Sequence, residues 1–218
     1  MTAMVTMPPA TTERCRQLLQ RWRQDLRLTR REQGLLRGEL TLLDRQLQRL
    51  EHNVLRLAVF GRVGVGKSSL INALVGQRLL ETDVAHGSTR RQQAVTWPLK
   101  LDGLQKVELI DTPGIDEIDA AGRTRLATRV AMGVDLVLLV IDSDLTRCDR
   151  DALETLQASG KPVRLVLNRS DRWPEEQLPE LLASIRSRLP SDLPLTAVAA
   201  APRQPRLDAD GRVRSSAA

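Results

Sequence analysis

Hydrophobic residues change their period along this 218-residue chain, and each period predicts a different element. From Glu13 to His52 the pattern is helical and strongly polar. Leu36, Leu40, Leu43, Leu47, Leu50 and Val54 are spaced alternately four and three apart, the seam of a coiled coil or an antiparallel helical hairpin. Leu18, Trp22 and Leu26 begin a similar seam, and Gly34 with Gly38 weakens the helix between the two halves enough to allow a bend. Beyond it the pattern becomes short continuous apolar runs. Residues 54–60, 135–141 and 162–167 read as buried parallel strands, because a strand covered on both faces needs no polar alternation. Helical patterns stand between them at 69–75, 123–132, 146–159 and 175–189. Residues 93–99 and 106–110 read as two strands joined through Leu101-Asp102-Gly103-Leu104, with Asp-Gly as the hairpin signal, and 195–200 as a final strand.

This alternation predicts an α/β fold: a mostly parallel, doubly wound sheet with one antiparallel edge strand, preceded by N-terminal helices. It divides the chain into a disordered lead (1–12), a helical arm (13–53), an α/β domain (54–200) and a flexible tail (201–218) rich in proline, arginine and small residues. The polar stretch from Gly76 to Arg91 is long for a loop, which points to a functional one.

Composition narrows the class. Cys15 and Cys148 are the only cysteines and neither stands in a metal-ligand spacing, so reduced thiols in a cytoplasm are expected. No run approaches the ~18 apolar residues of a membrane span. The net charge of +6 is concentrated in the arm, where eleven arginines between Glu13 and Arg56 stand against six acids. That excess suits RNA, a ribosome or an anionic membrane approached peripherally, although arginines interleaved with acids also describe a solvated helix face. Aromatic residues are only 2% of the chain, which argues against base stacking as a means of holding RNA. His52 and His86 have no ligand partners at useful spacing, and Trp22, Trp97 and Trp173 read as packing residues.

The chemistry starts at Gly61-Arg62-Val63-Gly64-Val65-Gly66-Lys67-Ser68, which follows the first predicted strand and leads through Ser69 into a helix. This is the context that the G-x-x-x-x-G-K-S pattern requires. Glycines let successive N–H groups turn inward around a phosphate chain, and the helix N-terminus adds positive potential. Lys67 is placed to reach the β- and γ-phosphates and Ser68 to ligate Mg²⁺. Asp111-Thr112-Pro113-Gly114 ends a later strand, where the acid can hold Mg²⁺ through water. Asn168-Arg169-Ser170-Asp171 ends another, where a carboxylate can accept from the N1–H and 2-amino group of guanine, a donor pair adenine lacks.

On these three motifs the chain resembles the P-loop GTPases, most closely the Era- and TrmE-like branch that includes septin-like members, over about residues 54 to 200. The resemblance implies a guanine-nucleotide switch binding GTP, GDP and Mg²⁺. Gly61 to Ser69 would hold phosphates, Thr89 in Gly87-Ser88-Thr89-Arg90 would complete the Mg²⁺ shell with Ser68 and Asp111, Gly114 would sense the γ-phosphate, and Asn168, Arg169 and Asp171 would read the base. Lys67, Thr89 and Gly114 would carry catalysis, mainly by positioning and charge stabilisation.

The departures from the pattern carry expectations too. Arg169 replaces lysine, and its plane can stack over a base. Gly64 stands where potassium-activated members have asparagine, so potassium stimulation is not expected. Ile115 replaces the water-orienting glutamine of Ras-like proteins, implying slow turnover unless a protein partner or homodimer contact assists. The last motif is matched loosely by Thr196-Ala197-Val198 or Ala199-Ala200-Ala201, with no helix pattern after it, so apolar sheet surface is expected to lie exposed there. The alternative function is a non-hydrolysing GTP/GDP-binding scaffold that presents its basic arm to a protein, RNA or membrane.

Overall fold

The computed structural model describes residues 9–81, 93–116, 119–207 and 213–217. Three helices, α1 (Pro9–Asp25), α2 (Arg30–Leu35) and α3 (Arg37–Glu51), precede β1 (Val54–Gly61) and α4 (Lys67–Val75). There follow β2 (Gln93–Trp97), β3 (Lys106–Asp111), α5 (Ala120–Gly133), β4 (Leu136–Ile141), α6 (Arg147–Ala158) and β5 (Val163–Leu167). A 3₁₀ turn (Ser170–Arg172), α7 (Gln177–Arg186), β6 (Leu195–Ala197), β7 (Arg203–Leu207) and β8 (Val213–Ala217) complete the order. The chain divides into two compact units, Met1–Leu55 with Pro98–Val107, and Arg56–Trp97 with Glu108–Ala218.

The first unit is an antiparallel helical hairpin. Its reversal lies at residues 26–29, where Thr29 starts α2 with a reciprocal cap: its hydroxyl accepts from the Glu32 N–H, while Glu32 accepts from the Thr29 N–H at 2.8 Å. Such a cap satisfies two helix-end donors at once, and the Thr-x-x-Glu spelling of it was visible in the sequence. Gly34 and Gly38 flank a smaller interruption at Leu36, which ends α2 and begins α3. α1 already starts at Pro9, inside the stretch expected as a lead, and proline is well suited to a first helical position.

The α1 seam does not pack as its spacing suggested. Leu18 and Trp22 are 57% and 53% exposed, and polar pairs join α1 to α3. Arg23 donates through Nε and Nη2 to the two carboxylate oxygens of Asp44, at 2.8 and 3.1 Å, and Gln20 donates to Glu51. The hydrogen bonds from Arg23 hold the Asp44 carboxyl below its usual range.

In the second unit the strand order is β2-β3-β1-β4-β5-β6. β1, β4, β5 and β6 run parallel, and the edge strand β2, turned back onto β3 through Gly103 (φ +81°), is the antiparallel member. One face carries Ala58, Phe60, Val137, Leu139, Ile141, Leu165 and Leu167, which form a single core with residues of α5, α6 and α7. The other face buries Val59, Val140 and Val166 but ends in exposed Arg164 and Thr196. Among the described residues this face near β6 ends in polar side chains, where apolar exposure was expected. Nor is the tail wholly irregular. β7 and β8 pair antiparallel from Arg203 with Ala217 to Leu207 with Val213, around a stretch containing Asp210-Gly211 that the sequence reading passed over as a hairpin signal.

Candidate functional site

The parallel strands bring their C-terminal ends to one edge of the sheet, where α/β proteins take their ligands. β1 ends in the glycine loop, β3 at Asp111, β4 at Asp142 and β5 at Asn168. The loop needs its glycines. Gly61 (φ +149°) lies so close to the Val140 carbonyl that a Cβ would run into it, and Gly66 (φ +91°) is crowded in the same way by the Asn168 side chain. Gly66 also begins α4, so the loop's N–H groups and the helix N-terminus share one concavity.

Lys67 is buried, and its Nζ donates to the Arg62 carbonyl at 2.7 Å, folding the ammonium back across the loop. The Ser68 hydroxyl donates to Asp111 Oδ2 at 2.7 Å. A hydroxyl and a carboxylate joined in this way are hard oxygen donors, and Mg²⁺ bound with phosphates and its own waters needs few protein ligands. Among the described residues there is no cluster of three or more His, Cys, Asp or Glu that could hold a metal alone. Thr89, expected to complete that shell, lies outside the described residues.

The Asp111-Thr112-Pro113-Gly114 segment approaches the loop from β3. Thr112 is fully buried and donates to the Val59 carbonyl at 2.8 Å, fixing the strand end. Gly114 lies against Val63, where a Cβ would run into the Val63 side chain and come within 2.9 Å of its nitrogen. Ile115 is fully buried in the core, so the position that Ras-like proteins give to glutamine offers no polar group. Its neighbour Asp116 instead accepts from the Val63 N–H at 2.7 Å. A carboxylate thus sits on one of the loop's donors, a residue the sequence reading did not single out.

Asn168 joins three motifs. Its Nδ2 donates to the carbonyls of Val65 and Gly66, at 3.0 and 3.3 Å, and its Oδ1 accepts from the Ala200 N–H at 3.1 Å. Ser170 N–H donates to the Val198 carbonyl at 3.0 Å, so residues 198–200 lie beside the Asn-Arg-Ser-Asp turn. The loose match at Ala199-Ala200-Ala201 therefore occupies the site, and Thr196-Ala197 belongs to the strand leading to it. Asp171 is exposed within the 3₁₀ turn. Arg62 was expected only as a loop residue, yet its side chain donates to Asp142 and to the fully buried Asp149, each at 3.2 Å. Asp149 is also the third helical residue of α6 and closes a reciprocal cap with Thr146. Val65 is buried beneath the loop, Ser69 lies in the first turn of α4, and Gly64 (φ +77°) faces open space. Cys148 is half-buried near this network; burial pushes its thiol pKa up, so it is not an activated nucleophile.

Known proteins share this arrangement. A family model described as "50S ribosome-binding GTPase" matches residues 56–169. The GTPase Der of Rhizobium johnstonii is 43% identical over 121 residues, which cover 53% of this chain and 25% of that protein. The GTPase Era of Synechocystis sp. is 38% identical over 135 residues, covering 59% of this chain and 41% of Era. The chain thus spans well under half the length of either relative. An Era structure in complex with MgGDPNP and a segment of 16S ribosomal RNA superposes with a TM-score of 0.58 at 24% identity, over 68% of this chain and 51% of that one, a likeness of fold. With the family model covering more than half of the chain, and its matched residues running from β1 to Arg169, this chain belongs to the 50S ribosome-binding GTPase family of P-loop proteins.

Proposed function

We propose that this chain is a Mg²⁺-dependent guanine-nucleotide switch that hydrolyses GTP to GDP and phosphate slowly on its own. The observation that carries the reading is the pair of hydrogen bonds from Asn168 to the Val65 and Gly66 carbonyls, which ties the base-reading motif directly to the phosphate loop. Loop amides and Lys67 would hold the phosphate chain, Ser68 and Asp111 the ion, and Asp171 the guanine edge. The bound ion would supply charge neutralisation between phosphates. Every other contribution is positioning by this chain's residues. Lys67 would exchange the Arg62 carbonyl for phosphate oxygens, and the Gly114 N–H would report the γ-phosphate. Thr89 takes the remaining Mg²⁺ position in this reading, on the strength of the family pattern alone.

Slow turnover follows from Ile115. Its side chain is committed to the core, so no glutamine-like group orients water, and a protein partner or second copy would have to complete the site. The arm, together with Arg56 just beyond it, carries an excess of five positive charges, and it is the element we assign to an anionic partner, RNA on a ribosome or a membrane surface, with a cytoplasmic location to match. Among the described residues no helix is long and apolar enough to cross a membrane.

Phosphate release from GTP under single-turnover conditions tests the switch. We expect a slow but Mg²⁺-dependent rate that Ser68→Ala abolishes. Tight GDP and GTP binding with no release above background would instead favour the scaffold reading, in which the domain only displays its arm.

A further inference from the structure

Asp142 stands at the end of β4, outside all three sequence motifs, and it is the point where two of them meet. Its Oδ2 accepts from Arg169 Nη1 at 2.9 Å, and its Oδ1 accepts from Arg62 Nη2 at 3.2 Å. Arg62 belongs to the phosphate loop and Arg169 to the base-reading turn, so one carboxylate bridges the two. The bridge is anchored further, because Arg62 Nε donates to the fully buried Asp149. Two guanidinium groups face two carboxylates, and the other three side chains keep only 20–23% exposure. Charge-assisted hydrogen bonds in such half-buried surroundings hold geometry better than the same pairs would in open solvent.

Arg169 is held in other ways that matter for a ligand. Its backbone is left-handed (φ +59°), a conformation that non-glycine residues adopt at a cost and that persists only where the surroundings impose it. Its Nε lies 3.9 Å from the position a Cβ on Gly66 would occupy, so the side chain runs across the N-terminal end of α4 beside Asn168. An arginine in this place has a long, many-rotamer side chain, and it becomes a flat platform only if something fixes the fork.

We propose that Asp142 is a positioning residue for guanine-nucleotide recognition: it fixes the Arg169 guanidinium across the phosphate loop, where its face packs on the base. This rests on the guanine-nucleotide reading of the site. Asp142 touches no nucleotide itself; Arg62 and Asp149 hold it in place, and it acts through Arg169.

The test uses the full chain and compares the dissociation constants of GDP and inorganic tripolyphosphate for wild type, Asp142→Asn, Arg169→Ala and the double variant, each first shown to melt cooperatively. Asp142→Asn keeps the shape and removes the charge. It is expected to weaken GDP about tenfold and leave tripolyphosphate unchanged, and the double variant is expected to be no weaker than Arg169→Ala alone. Equal losses for both ligands, additive losses in the double variant, or no loss at all would each overturn the positioning role. If Asp142→Asn does not fold, Asp142→Ser replaces it: the hydroxyl removes the charge that holds the Arg169 fork, and unchanged GDP binding would overturn the proposal. Wild-type protein that binds tripolyphosphate but not GDP would overturn the guanine reading beneath it.

Discussion

In the three N-terminal helices Leu47 is the one described side chain that is buried, while the sheet unit closes a core from β1 to β5 against three helices. Both regions have regular hydrophobic spacing, but the hairpin turns polar groups, Gln20, Arg23, Asp44 and Glu51, toward its own interface and leaves Leu18 and Trp22 in solvent. Surface ion pairs contribute little to stability, whereas apolar burial contributes most of it. The sheet unit therefore has a well-packed core behind the proposed phosphate loop, whereas the hairpin leaves apolar side chains in solvent.

Truncating one leucine in each region has the largest expected effect. Leu139→Ala, at a fully buried position on the central strand β4, is expected to destabilise the protein by about 2–5 kcal/mol in denaturant unfolding. Leu18→Ala, on the exposed face of α1, is expected to shift stability by no more than about 0.5 kcal/mol. Comparable losses would mean that the α1 seam is buried after all.

A smaller effect is expected at the edge of the grip. Asp116 occupies the Val63 N–H, so a phosphate oxygen has to displace it. Asp116→Ala removes that competitor and is expected to tighten GTP binding about fivefold, the worth of about one hydrogen bond. Looser binding would show that Asp116 supports the nucleotide instead.

The smallest effect concerns the hairpin and acid. The folded-state pKa of Asp44 is depressed by Arg23, so its contribution is complete above the ordinary carboxylate range and disappears as pH falls through the depressed value. Thermal melting followed by circular dichroism is therefore expected to show no change from this pair between about pH 7 and 5, and an acid loss below about pH 4 that Arg23→Ala makes smaller. An identical acid profile in the variant would show that the pair does not hold the hairpin.

Legibility in the sequence followed the same division. Continuous apolar runs such as 135–141 have few ways to be satisfied except as central strands, and Gly66 and Lys67 have few roles outside a phosphate loop, so the sheet and its three motifs could be read directly. The α1 seam misled because spacing fixes which residues share a helix face but not which face meets a neighbour. Asp142, Asp149 and Asp116 were missed for another reason: single acids after a strand or inside a helix carry no local pattern, and their meaning comes from Arg62, Arg169 and Val63, residues tens of positions away. The caps at Thr146 and Thr29 were missed as well, although Thr-x-x-Asp and Thr-x-x-Glu are local spellings that could have found them.

The central claim is that the two loops joined through Asn168 form one guanine site, and competition against fluorescent GDP on the Mg²⁺-loaded chain tests it most directly. Unlabelled GTP is expected to compete and ATP not, and Asp171→Ala is expected to abolish the preference while tripolyphosphate binding survives. Equal competition by ATP, or a preference that Asp171→Ala leaves intact, would contradict it.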